Sequence, residues 1–149
     1  MNTAKINTNP AFENSQEMQQ ICQGTFQRLG LNAFSFSRIY QDGSRAELWT
    51  DPYALEHSFF LKQHISQVYT PDLFNGQKFV FYDLAIEEFP ADMRIKISNQ
   101  LKDQKELFNH ANCVFVIDYH EHYTEYFAFY TPIEYSNAIN SYVNNQDKL

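Results

Sequence analysis

Apolar positions recur at two periods along this chain, and the periods alternate. Met18, Ile21, Cys22, Thr25, Phe26 and Leu29 fall at helical spacing. Asn14 followed by Glu17 has the form of a capping box, and Gly30 stands where a left-handed C-terminal residue is wanted. The spacing predicts a helix over about 15–29. The period then drops to two. Phe34, Phe36, Arg38 and Tyr40 share one face of a strand, and Ala33, Ser35, Ser37 and Ile39 share the other. Asp42-Gly43 is a hairpin turn signal, and Arg45, Glu47 and Trp49 alternate with Ala46, Leu48 and Thr50 on the returning strand.

Asp51-Pro52 closes that strand and opens a helix, Asp as cap and Pro at the first helical position. Leu55, Phe59 and Lys62 mark one stripe of it, and Ala54, His57, Leu61 and Ile65 an adjacent one, for a helix over about 52–66. Thr70-Pro71-Asp72 and Asn75-Gly76 punctuate a loop. Residues 78–83 read as a short central strand, and 84–90 as an acidic connector ending at Phe89-Pro90. Met93, Ile97, Leu101 and Phe108 give the buried stripe of a helix over 91–108, stopped by Asn109-His110, with Lys102, Asp103, Lys105 and Glu106 facing water. A second hairpin follows, strands 112–119 and 124–131 around a His120-Glu121-His122 tip. Thr131-Pro132 is expected to start a last helix, with Ile139, Tyr142 and Val143 as its apolar positions.

The order is α-β-β-α-β-α-β-β-α. Hairpins force antiparallel pairing, and helices over both faces give an α-β-α sandwich, an α+β fold with a five-stranded antiparallel sheet of the PAS or GAF kind. Residues 1–13 are expected to be a flexible N-terminal arm, 14–144 one domain, and 145–149 the start of a linker.

At 149 residues the chain has the length of one domain with a proper core. Its 14 Phe and 10 Tyr supply enough flat apolar surface either to fill that core or to line a pocket. The net charge of −7 disfavours direct contact with nucleic acid, and no apolar run is long enough to span a membrane. Residues 1–10 lack the apolar centre of a signal peptide. The two cysteines, Cys22 and Cys113, have no metal-type spacing, so two buried thiols in a cytoplasmic protein are expected.

Chemistry of the familiar kinds finds little purchase. The four glycines are scattered, so no phosphate cradle forms, and no serine sits on a glycine-flanked elbow. Cys113 leads into Val-Phe-Val-Ile, a setting for burial rather than for a thiolate. Asp83, Glu87 and Glu88 read as a solvated face. His120 and His122 could turn both imidazoles toward one ion, but two ligands do not make a site. Neither an enzyme nor a cofactor is implied. What remains is a pocket between the sheet and the 52–66 helix, with Phe36, Arg38, Trp49, Tyr53, Leu55, Phe59 and Tyr82 as candidate ligand-binding residues. Arg38 either meets a ligand oxygen there or pairs with Glu47 across the hairpin. The competing reading is a ligand-free interaction and dimerisation module, with Tyr126 and Tyr130 exposed on the outer sheet face as its contact surface.

The order of elements, the Arg38-Ile-Tyr-Gln-Asp-Gly-Ser-Arg45 hairpin, the Thr50-Asp-Pro52 helix start and the aromatic strand 78–83 together resemble the N-terminal sensor domain of LuxR-type transcription regulators. The resemblance covers most of the chain. It implies a cytoplasmic sandwich that binds a small signal molecule, dimerises, and controls a C-terminal helix-turn-helix domain. Contact with DNA would come only through that domain, which is expected to lie beyond Leu149. Members that bind acyl-homoserine lactones carry a Trp and a Tyr on the helix after the first hairpin and then an Asp-Pro pair. Leu55 and Phe59 stand at the comparable positions here, and no Asp-Pro follows.

Overall fold

A computed structural model describes residues 14–61, 68–135 and 137–148. The expected arm 1–13, the end of the second helix with Lys62 and Ile65, and Leu149 lie outside the described residues, as does the side chain of Ile139. Helix α1 (Ser15–Leu29) leads into β1 (Ala33–Tyr40) and β2 (Arg45–Trp49). Helix α2 (Pro52–Glu56) widens into a π turn over His57–Leu61. Then come β3 (Phe79–Phe81), α3 (Tyr82–Ala85), α4 (Ala91–Phe108), β4 (Ala111–Tyr119), β5 (Tyr123–Thr131) and α5 (Ala138–Asn144). Among the described residues no helix is long and apolar enough to cross a membrane.

The five strands form one antiparallel sheet in the order β2-β1-β5-β4-β3. The first and last strands of the two hairpins therefore meet at its centre, with Ala33 opposite Tyr130 and Tyr40 opposite Tyr123. Side chains of alternating parity feed two cores. Ala33, Ile39, Val80, Cys113, Phe115, Ile117, Tyr126 and Ala128 pack with Phe74, Tyr82 and Ile97 beneath α4. Phe34, Phe127, Phe129, Val114 and Val116 pack with Phe26 and Leu29 of α1 and Ala138 and Tyr142 of α5. A smaller cluster joins Trp49 to Ala54, Leu55, Phe59 and Phe108. The α+β sandwich with a five-stranded antiparallel sheet is thus as the periodicity predicts.

Local departures have local causes. Asn14 caps α1 without a side-chain hydrogen bond, so the capping-box expectation does not hold. Asp51 accepts from the backbone N–H of Tyr53 and of Ala54, as a capping aspartate should. The strand expected over 78–83 stops at Phe81, and the expected connector is instead α3 followed by a 3-10 turn over Ile86–Glu88. That turn buries Ile86 beside Tyr82, an anchorage that an extended edge strand would forfeit. The last helix begins at Ala138 rather than at Pro132, because Pro132 sets a turn in which the Tyr135 N–H donates to its carbonyl.

Candidate functional site

Strand parity decides which side chains can meet. On β2 the side chains of Arg45, Glu47 and Trp49 point to the α4 side of the sheet. In register with them on β1 stand Ile39, Ser37 and Ser35. Two small serines opposite a long carboxylate and an indole leave room between sheet and helices. The result is a cavity of about 30 Å³, enough for about one or two waters. Its walls are these strand residues, Phe115, Tyr126 and Tyr130 from the central strands, Phe59, Tyr69, and Gln100 of α4.

The polar groups around it are unevenly satisfied. Glu47 Oε2 accepts from Ser37 Oγ at 2.5 Å and from Trp49 Nε1 at 2.9 Å. Arg45 Nη2 donates to the Tyr69 carbonyl at 2.8 Å, and its guanidinium lies 5.6 Å from the centre of the Phe59 ring. The remaining atoms, Arg45 Nη1 and Glu47 Oε1, are buried with no hydrogen-bond partner and stand 3.8 Å apart, beyond direct bonding. Only 8% of the Glu47 side chain is exposed. Burial pushes its carboxyl from 4.5 up to about 7, against the pull of Ser37, Trp49 and Arg45. Behind the cavity a chain of hydroxyls runs from Tyr82, which donates to Tyr69, to Tyr69, which donates to Gln100. Burial raises both phenols further above their usual range, so they act as neutral donors.

Of the seven residues expected to line one pocket, Trp49 and Phe59 do so, ring edge to face at 5.8 Å. Leu55 is buried behind Trp49. Tyr82 sits one layer deeper, 4.9 Å from Phe115. Tyr53 is 66% exposed. Phe36 and Arg38 lie on the opposite face of the sheet, because their parity is that of Phe34 and not that of Ser35. Phe36 packs on Phe127 there. Arg38 ion-pairs with Glu125, its neighbour in register on β5, and covers the Tyr123 ring at 4.6 Å. The pairing of Arg38 with Glu47 does not form, since Glu47 stands opposite Ser37 and points the other way. Tyr126 and Tyr130 are buried at the cavity rather than displayed on an outer face.

Periodicity thus passed over Arg45 and Glu47 as pocket residues. The signal was available: charges two apart on β2, with a serine opposite Glu47 and another opposite Trp49.

Two other arrangements bear on chemistry. An open groove of about 560 Å³ runs along α1 beside Thr50 and Asp51, walled by Gln16, Gln19, Gln20, Gln23 and Gln27. It is the larger hollow: its glutamines are exposed on the helix surface, and Phe26, Leu31, Asn32 and His110 complete its lining. Deep at its end the His110 imidazole lies 3.5 Å from Asp51 Oδ2. Burial depresses the His110 pKa, and Asp51 opposes that shift. At the second hairpin, His120 and His122 do not converge. His120 Nε2 instead sits 3.1 Å from Asp118 and 3.5 Å from Glu125, while His122 is beside Glu121. The other oxygen of Glu125 is held by Arg38, so a cation already occupies one side of that cluster. Cys113 is buried and its thiol is pushed well up by desolvation, the reverse of an activated nucleophile.

Compared with known proteins, the chain matches no family model, and no curated protein is significantly similar to it.

Proposed function

We propose that this chain is a ligand-sensing domain of the LuxR-regulator kind, with a PAS- or GAF-like sandwich that takes a small molecule between β2 and α4. The observation that carries the reading is the buried Arg45–Glu47 pair, whose residues line the cavity beside Trp49 and Phe59 and keep one nitrogen and one oxygen without a hydrogen bond. A buried charged group without its full set of partners costs stability and is kept where a ligand or a water supplies the missing bond. Ligand-sized volume comes from outward displacement of the Trp49–Phe59 wall, since about 30 Å³ admits only a head group. A ligand that prefers one packing of that wall shifts the population of signalling states. In this reading a cytoplasmic homodimer passes the shift through α5 to a DNA-binding domain.

The test is native mass spectrometry of the chain purified under mild conditions, followed by extraction and a thermal-shift screen. A retained or added small molecule that raises the melting temperature, with the response lost in Trp49→Ala, is the expected outcome. A small interior cavity is also what a ligand-free interaction scaffold would show. An empty chain that no small molecule stabilises would end the first reading and favour the second.

A further inference from the structure

We infer that the head group received at this cavity carries a hydrogen-bond acceptor and a donor side by side on one planar edge, as a primary carboxamide, lactam or ureido group does. The inference rests on the ligand-sensing reading above and adds the ligand's chemistry. Arg45 Nη1 can only donate, and Glu47 Oε1 can only accept once its carboxyl is ionised, above about pH 7. They form an ion pair 3.8 Å apart, and neither has a hydrogen-bond partner. In an amide edge the C=O and a cis N–H lie about 2.2 Å apart from ordinary bond lengths. Slightly diverging hydrogen bonds of about 2.9 Å then reach partners about 3–4 Å apart. A carboxylate would satisfy Arg45 but face Glu47 with like charge, and an ammonium would do the reverse. A trans secondary amide directs its two groups to opposite edges and cannot meet both. The volume of about 30 Å³ suits a carboxamide's three heavy atoms.

The surroundings agree. Glu47 Oε2 accepts from both Ser37 and Trp49, and Arg45 Nη2 donates to the Tyr69 carbonyl, so the two atoms without hydrogen bonds are held in place by the bonds of their neighbours. Trp49 is the chain's one tryptophan, and its indole N–H donates to the same carboxylate, which makes it a reporter one bond from the site.

The experiment is a titration at pH 8, where Glu47 is ionised, of the ¹⁵N-labelled full chain, following the indole N–H signal, with benzamide, N,N-dimethylbenzamide and benzoate as probes. The expected result is a saturable shift with benzamide, at least tenfold weaker binding of the other two, and at least tenfold loss of benzamide binding in Arg45→Met. The wild-type probe comparison stands even where that variant fails to fold. Equal binding of dimethylbenzamide or benzoate overturns the head-group assignment and leaves the sensor reading intact. So does a molecule retained by the purified chain that lacks such an edge. If no probe moves the indole signal, the assignment falls. The sensor reading falls with it only if the mass-spectrometric search also finds nothing bound.

Discussion

Glu47 allows a direct measurement of what the buried pair costs. Its carboxyl is raised from 4.5 in the unfolded chain to about 7 in the folded one. At about 1.4 kcal/mol for each tenfold change in proton affinity, that difference is worth about 3 kcal/mol. The sign follows from linkage. The folded state holds the proton more tightly, so the contribution is fully present below pH 4.5 and is lost as pH rises through about 7. The phenols around the cavity, Tyr69 and Tyr130, are shifted upward and stay neutral throughout this window. His110 works in the opposite sense, because its depressed pKa removes stability as pH falls. The comparison must therefore be between the protein and Glu47→Gln at each pH. The assay is urea unfolding followed by Trp49 fluorescence from pH 4 to pH 8. The stability of the native chain minus that of Glu47→Gln should fall by about 3 kcal/mol across the range, most steeply between pH 5 and 7. A flat difference would refute the burial argument and show the carboxylate to be solvated in the folded state.

Other consequences are simpler. Ile97 on α4 is fully buried against the sheet, so Ile97→Ala should cost about 2–5 kcal/mol in the same urea assay, with the slope unchanged. Asp51→Ala removes the cap bonds to the backbone of Tyr53 and Ala54 and should cost about 1–2 kcal/mol by thermal unfolding. It also takes the carboxylate away from His110, so an NMR titration of that imidazole should give a still lower pKa. Gly30 has φ +69°, and an added Cβ would stand 3.0 Å from the Tyr135 ring. Gly30→Ala should therefore cost at least about 1–2 kcal/mol at the α1–β1 junction, measured by calorimetry.

Much of the fold was legible because its long elements have one clear period each. Helix α4 shows Ile97 and Leu101 at helical spacing, and β1 alternates strictly, so both match the structure to the residue. Strand β3 was not so constrained. A four-residue apolar run, residues 79–82, suits either state, and only three of its residues pair with β4 before Tyr82 turns into α3. The site failed for a geometric reason. Phe36 and Arg38 were grouped with Trp49 by aromatic and charged character, whereas an antiparallel pair assigns faces by register. Trp49 stands opposite Ser35 and Glu47 opposite Ser37, which puts the polar pair of β2 inside and Arg38 outside. No local property of Arg38 distinguishes it from Arg45; its partner Glu125 is 87 residues away.

The two arginines show what burial of a charge means in this domain. Arg38 is partly exposed on the α1 face and is answered by Glu125, which accepts from both its Nε and its Nη2. Arg45 and Glu47 sit on the enclosed face, where desolvation is strong and their mutual attraction acts over 3.8 Å without a hydrogen bond. Domains of this kind have about 5–15 kcal/mol of net stability, so a carboxylate that forfeits about 3 kcal/mol above neutrality is a large charge against it. A leucine on β2 would fill the same space without that loss. The fold nevertheless supplies two serines, an indole N–H and a backbone carbonyl to hold the pair in position with one donor and one acceptor unspent. In the proposed sensing role, a ligand that completes the two missing bonds would offset that cost.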